Sequence, residues 1–320
     1  MVTISDVLQA RRAIRPFIRK TPLIYSPYLS EKTGGKIWLK LECWQPTGSF
    51  KVRGALNKIY SLTDAEKARG VVTASAGNHG LGVSYAASQL GVKEATIFVP
   101  NHAPQAKVTK LQTFSVTLRR AGETYEEAHQ AATRFARETG AVEIPAYDDT
   151  AVIAGQGTMA LEIMAELPQA DVVVVPVGGG GMMAGIATVL RALAPKARLV
   201  GVQPDATPAA LLSYQKGAAI DPYNHAPTLA DGLAGGFGAL PFALTKDDPP
   251  EIVLVNEDGL LHGIYAVLAH HQLVVEPSGA VGLAALLAGA VNVAGKTAVC
   301  VLSGGNVDVT VLRQALALGS

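Results

Sequence analysis

The chain has 320 residues, 49% of them hydrophobic and 17% charged, which allows one or two packed domains and excludes a disordered chain. Its 27 basic and 26 acidic residues leave a net charge of +1 with no basic run, which argues against nucleic acid as a partner. Two cysteines, Cys43 and Cys300, lie in apolar, strand-like sequence and read as buried thiols of a reducing compartment, the cytoplasm, rather than as a disulfide or metal site.

Residues 1–17 carry Asp6, Arg11, Arg12 and Arg15 and lack the apolar stretch of a secretory signal. Beyond them, short β-branched runs alternate with helical patterns. Strands are expected at 37–42, 71–74, 95–100, 115–119, 171–177, 198–203, 251–255 and 297–302. Helices are expected at 81–90, 124–139, 150–167, 259–272 and 280–290. Runs such as Val172-Val173-Val174-Val175 are apolar on both faces, which suits a parallel sheet covered by helices. Two uncharged stretches, 172–190 and 277–295, approach the length of a membrane span. Their glycines, and Pro176 in the first, divide them into strand, turn and buried helix instead.

Ligands of open α/β sheets bind beyond the carboxyl ends of strands, so the turns after strands carry the functional information. After 37–42 comes Pro46-Thr47-Gly48-Ser49-Phe50-Lys51-Val52-Arg53-Gly54. Thr47 or Ser49 is expected to cap a helix with Lys51 in its first turn. The positive helix end and desolvation would both lower the pKa of that amine, giving the neutral nucleophile that Schiff-base chemistry needs. On position alone, a solvated surface lysine is the plainer reading.

After 71–74 comes Ser75-Ala76-Gly77-Asn78-His79-Gly80. Its free amides suit a carboxylate, although Ser75 or Asn78 could equally cap an ordinary helix, and His79 is as readily structural as catalytic. After 171–177 come Gly178, Gly179, Gly180, Gly181 and Met182, a run whose backbone amides can cradle a phosphate. Gly179, Gly181 and Gly185, with Asp205 after the next strand, also leave open the dinucleotide site of a nicotinamide-dependent oxidoreductase. After 297–302, Ser303-Gly304-Gly305-Asn306 puts a neutral hydroxyl at a fourth strand end. An amine, a carboxylate turn, a phosphate turn and a hydroxyl are the set that an amino acid joined to pyridoxal phosphate requires.

With these blocks in this order, and with Val152-Ile153-Ala154-Gly155-Gln156-Gly157-Thr158 and Ala230-Asp231-Gly232, the chain resembles the fold-type II pyridoxal-phosphate enzymes almost end to end. Within that superfamily, related to tryptophan synthase β, it is most similar to the serine/threonine dehydratases. The resemblance implies two three-layer α/β/α domains with mostly parallel sheets. Residues 1–60 and 147–320 would form the larger, cofactor-binding domain, and 61–146 a smaller one closing over the substrate.

It also implies that Lys51 holds the cofactor as a Schiff base and acts as catalytic base, and that Phe50 packs on the pyridine ring. Asn78 would bond the ring hydroxyl, the amides of Gly178 to Met182 the phosphate, and Ser303 the ring nitrogen. Amides from Ser75 through Ala76, Gly77 and Asn78 to His79 would hold the substrate carboxylate, with Tyr147 at the pocket mouth or packing the domain junction. The implied partner is a small amino acid, and the implied assembly a homodimer or higher homo-oligomer.

Departures from the family pattern narrow the expectation. Ala76 stands where serine racemases carry a second serine, so racemisation is not expected. Gln203, Thr207 and Ala209 stand where several relatives ligate a divalent cation, so no metal is expected. The chain ends soon after the Ser303 turn, so the regulatory domain of biosynthetic threonine dehydratases is not expected. The reaction foreseen is loss of water and ammonia from a β-hydroxy L-amino acid such as threonine, serine or phenylserine. A lyase for a larger hydroxylated compound such as hydroxyectoine, racemisation and β-replacement are the alternatives on the same scaffold.

Overall fold

A computed structural model describes residues 1–319. Ten strands occur among them: β1 (Leu23–Tyr25), β2 (Lys36–Leu41), β3 (Val71–Ala74), β4 (Ala95–Val99), β5 (Thr117–Arg120), β6 (Val142–Glu143), β7 (Val172–Pro176), β8 (Arg198–Pro204), β9 (Glu251–Val255) and β10 (Thr297–Leu302). They form a six-stranded sheet in the order β1-β2-β10-β7-β8-β9 and a four-stranded sheet in the order β5-β4-β3-β6. Every pairing is parallel except β1 with β2. The two-domain α/β architecture expected from the sequence is the one observed.

Both faces of the larger sheet are buried, and the strand period of two sorts the side chains between them. Val172, Val174, Cys300 and Leu302 join one core with the helices Glu257–His271 and Pro277–Leu287. Val173, Val175, Val299 and Val301 join the other with Thr150–Glu166 and Gly181–Leu193. The smaller sheet packs Val71, Ile97 and Val99 on the helices Lys51–Tyr60 and Asn78–Gln89, and Val72, Ala74 and Phe98 on Tyr125–Thr139. The Lys51 helix therefore touches both units.

Several expectations need correction. β1 and β6 were not foreseen; at three and two residues they are too short to show a pattern, and neighbouring strands decide their pairing. The strand expected at 115–119 starts two residues later and ends one later, as β5. Cys43 is in a short 3-10 turn, Glu42–Trp44, and not in a strand, although both thiols are buried and free. The first uncharged stretch resolves into strand, glycine turn and helix, whereas the second is the helix Pro277–Leu287 followed by turns, without the strand expected. Among the described residues no helix is long and apolar enough to cross a membrane.

Candidate active site

The expected side-chain cap on the Lys51 helix is not there. Phe50 occupies the N-cap position in helical conformation, and no side chain caps the turn. The hydroxyls of Thr47 and Ser49 are instead buried without a hydrogen-bond partner. What holds the turn is the end of β10: Phe50 N donates to Ser303 O at 3.0 Å, and Ser49 bridges to Gly304. Gly48 has φ +74°, and a Cβ there would lie 2.8 Å from the Asn306 side chain. Glycine is thus required both by conformation and by close approach.

A buried ion cluster anchors the same helix from beneath. All five N–H groups of Arg53 are used. Nε and Nη2 bond the Glu42 carboxylate at 2.8 Å each, Nη1 and Nη2 bond Glu162 at 2.8 Å each, and Nη1 reaches Thr158 Oγ1 at 3.1 Å. Lys40 Nζ bonds Glu162 at 2.6 Å and Thr21 O at 2.7 Å. Two cations meet two carboxylates, so the cluster is neutral. Burial alone would raise the Glu42 carboxyl, but the Arg53 guanidinium outweighs it and holds Glu42 below the usual range. The cluster ties β2, the Lys51 helix and the helix Thr150–Glu166 together two residues from Lys51.

Helix starts in this protein fall into two groups. Thr3, Ser26, Thr63, Thr124, Asp149, Asn256 and Asp308 cap their helices with a side-chain oxygen. The helices beginning at Lys51, Asn78, Gln105, Gly181, Ala209, Ala239 and Pro277 have no such cap. The starts at Lys51, Asn78, Gly181 and Pro277 belong to one neighbourhood. Phe50 N bonds Ser303 O, Asn78 bonds Glu276, and Gly232 N bonds Ser278 Oγ at 3.0 Å. A Cβ on Gly178 would lie 3.0 Å from Leu233 Cα. Free amides and the positive ends of four helices make this region receptive to anions.

Lys51 Nζ is inside it, donating to Ala146 O at 3.0 Å and 5.4 Å from the centre of the Phe50 ring. Burial pushes the amine down to about 8, with the Glu276 carboxylate opposing the shift. The solvated-lysine reading is therefore set aside. Tyr147, one residue beyond Ala146, lies over the glycine run: a Cβ on Gly179 would come within 2.2 Å of its ring, and one on Gly181 within 3.0 Å of its carbonyl. Its hydroxyl donates to Asp221 at 2.7 Å, which fastens it to the irregular segment before the 3-10 turn Asp231–Leu233. Gly180, at φ +87°, is the turn residue that starts the helix.

The Ser75–Gly80 turn is built for its backbone. Ser75 Oγ accepts from Gly77 N at 3.2 Å, and a Cβ on Gly80 would lie 2.3 Å from Ser75 O. Neither Ser75 nor Asn78 caps the helix. The His79 ring is buried and bonds Ile144 O at 2.9 Å; burial and the nearby Lys51 push it down to about 3, so it is neutral and donates from Nε2. Its side chain is structural. Ala76 presents only a methyl group. Ser303 Oγ is buried, with one long contact of 3.4 Å to Ser278 O.

Sequence reasoning missed Glu276. It is buried and bonds Asn78 Nδ2 at 2.6 Å. Its signal was available: it is the only charged residue between His271 and Lys296. The pairing of Lys107 with Asp231 was also not foreseen; it joins the helix Gln105–Leu111 to the short 3-10 turn Asp231–Leu233.

One alternative from the sequence loses its footing. A Cβ on Gly185 would lie 2.5 Å from Ile153 O and 2.6 Å from Gly157 N, so that glycine serves a helix crossing and not a dinucleotide. The buried Gln203 amide is held by three bonds: Oε1 accepts from Ala210 N at 3.0 Å and Leu211 N at 3.2 Å, and Nε2 donates to Val177 O at 3.3 Å. No metal-ligating cluster occurs among the described residues.

Comparison with known proteins agrees with this geometry. The family model described as "Pyridoxal-phosphate dependent enzyme" matches residues 14–304. The L-threonine ammonia-lyase of Thermotoga maritima is 43% identical over 320 residues, covering 100% of this chain and 79% of the relative. The catabolic L-threonine dehydratase TdcB of Escherichia coli strain K12 is 39% identical over 316 residues, covering 98% and 95%. Maize serine racemase superposes with a TM-score of 0.93 at 31% identity, covering 99% and 98%. The blocks quoted from the sequence, the fold and these likenesses agree, and the chain belongs to the fold-type II pyridoxal-phosphate-dependent enzymes.

Proposed function

We propose that the chain is an ammonia-lyase that eliminates water from a β-hydroxy L-amino acid, L-threonine foremost, to give an enamine that water then hydrolyses to a 2-oxo acid and ammonia. The observation that carries this reading is Lys51: a partly buried lysine whose amine is depressed to about 8 and donates to Ala146 O, set beside four helix starts that no side chain caps. The names borne by relatives at 39–43% identity point to the same reaction.

The residues fit pyridoxal phosphate. In this reading Lys51 would attach the cofactor, Phe50 would pack on its ring, and Asn78 would donate to the ring oxygen. The amides of Gly178, Gly179, Gly180, Gly181 and Met182 would hold the phosphate, and the Ser303 hydroxyl, lacking a short partner, would be free to bond the ring nitrogen. When bound, the cofactor supplies the electron sink that lets the Cα proton leave. The Lys51 amine would take that proton. The amides from Ser75 through Ala76, Gly77 and Asn78 to His79 orient the substrate carboxylate. The Tyr147 ring walls the β-substituent side and favours methyl or phenyl over a second carboxylate, whose burial without a partner is costly. Residues 61–146 act as the closing unit over the rest, with Lys107 pairing to Asp231. We place the enzyme in the cytoplasm as a homodimer or higher homo-oligomer.

The likeness to maize serine racemase raises racemisation as a second reading. Ala76 speaks against it, since its methyl can neither give nor take a proton on the face opposite Lys51. Both readings are tested by supplying serine, threonine, 3-hydroxyaspartate and phenylserine to the cofactor-loaded protein and following 2-oxo acid release and chirality. Threonine or phenylserine should lead. Rapid interconversion of L- and D-serine, or preference for 3-hydroxyaspartate, would overturn the proposal.

A further inference from the structure

An amide side chain next to a cofactor must choose which end faces it, and here the choice is made by neighbours. Asn78 Oδ1 accepts from Asn306 Nδ2 at 2.7 Å, and the second N–H of Asn306 goes to Thr47 O at 2.9 Å. Asn306 Oδ1 in turn faces Lys110 Nζ at 3.4 Å. Asn78 Nδ2 donates to Glu276 Oε1 at 2.6 Å. One of the two Asn78 N–H groups is thereby committed, and the other has no partner among the described residues. We propose that Glu276 is a positioning residue: by holding one N–H of Asn78 it aims the other at the ring oxygen of the cofactor.

Two further observations support this. Gly304 has no side chain because the Glu276–Asn78 pair occupies its space: a Cβ would fall 2.1 Å from Glu276 Oε1 and 3.2 Å from Asn78 Nδ2. Glu276 N donates to Gly304 O at 3.1 Å, which fixes the carboxyl's own backbone. A buried carboxyl in an otherwise uncharged stretch carries a desolvation cost that a purely structural site would avoid by using an apolar residue. Burial, and then the negative Asp231, push Glu276 up to about 7, while Asn78, Lys107 and Lys110 act in the opposite sense. An acceptor oxygen is present whether the carboxyl is charged or neutral, so the positioning role survives on both sides of neutrality.

The inference rests on Asn78 facing the ring oxygen, and the test separates the two. The cofactor dissociation constant and the visible absorbance band of the loaded protein are measured for Asn78→Ala, Glu276→Ala, Glu276→Gln and the double variant Asn78→Ala/Glu276→Ala. Glu276→Ala should weaken cofactor binding on the order of tenfold, the effect of about one hydrogen bond, and shift the band. Glu276→Gln, which keeps the acceptor, should stay within about threefold of the parent. The double variant should bind no worse than Asn78→Ala, because the effect passes through Asn78. Gly304→Ala, whose methyl displaces the Glu276 carboxyl, should copy Glu276→Ala and serves if that variant does not fold. Losses that add in the double variant, or a Gln variant as impaired as the Ala variant, overturn the positioning role alone. An Asn78→Ala protein with unchanged affinity and spectrum overturns the reading of Asn78 and the proposal with it.

Discussion

Replacing Arg53 by methionine should destabilise the protein by about 3–5 kcal/mol, the range for removing one partner from a buried ion cluster. The upper part of that range is expected. Arg53 and Glu42 are fully buried, and the guanidinium makes four bonds to carboxylates and one to Thr158. After the substitution Glu162 keeps Lys40, whereas Glu42 keeps only Thr21 at 2.6 Å and Gln45 at 3.3 Å as direct donors. The sign of the pH dependence should also reverse. In the parent, Glu42 lies below its ordinary 4.5, so its contribution is present above that pH and is lost as pH falls through the folded value. In Arg53→Met, burial dominates and raises the carboxyl, so Glu42 costs stability as pH rises above 4.5, and the deficit shrinks on acidification. Denaturant melts of the parent and variant at pH 5 and pH 8 measure this, read as a midpoint shift at constant slope. Arg53→Met/Glu42→Met, which removes both charges, should recover most of the loss. A single variant within about 1 kcal/mol of the parent at pH 8, or a double variant as unstable as the summed singles, would refute the reasoning.

Three further outcomes are expected. With Lys51 pushed down to about 8, roughly one-tenth of it is the free amine at pH 7, so the rate of cofactor capture by cofactor-free protein should rise through pH 8 and then level off; a rise that continues to pH 10 would show an ordinary lysine. Gly185→Ala, with its methyl 2.5 Å from Ile153 O, should lower the unfolding free energy by about 1–3 kcal/mol, read as a lower denaturant midpoint, since two helices must part to admit it; an unchanged midpoint would mean that the crossing yields freely. Ser303→Asp should retain the cofactor but increase transamination relative to elimination, because a carboxylate would keep the ring nitrogen protonated; unchanged product partition would contradict the role given to the hydroxyl.

Much of the site was legible because its parts are local. Strand, glycine turn and helix follow one another in the chain at Gly178–Gly181, at Ser75–Gly80 and at Ser303–Gly305, and glycine marks each place where backbone must come close. The errors arose where side chains answer to distant partners. Thr47 and Ser49 have the chemistry of helix caps, yet the turn they occupy is held by β10, some 250 residues away. Asn78 also has the chemistry of a cap, but its amide is drawn to Glu276 and Asn306. Arg53, Glu42 and Glu162 form a cluster that no local pattern announces, because its members come from a strand end and two helices. β6 exists only because β3 offers it an edge.

The attachment of the cofactor to Lys51 is the claim on which the remaining assignments depend. Borohydride treatment of the cofactor-loaded protein, followed by peptide mass mapping, tests it in one measurement. The account predicts a single reduced adduct on the peptide containing Lys51, and none in Lys51→Ala. An adduct on another lysine, Lys107 or Lys110 included, or turnover of threonine by a Lys51→Ala protein, would contradict it.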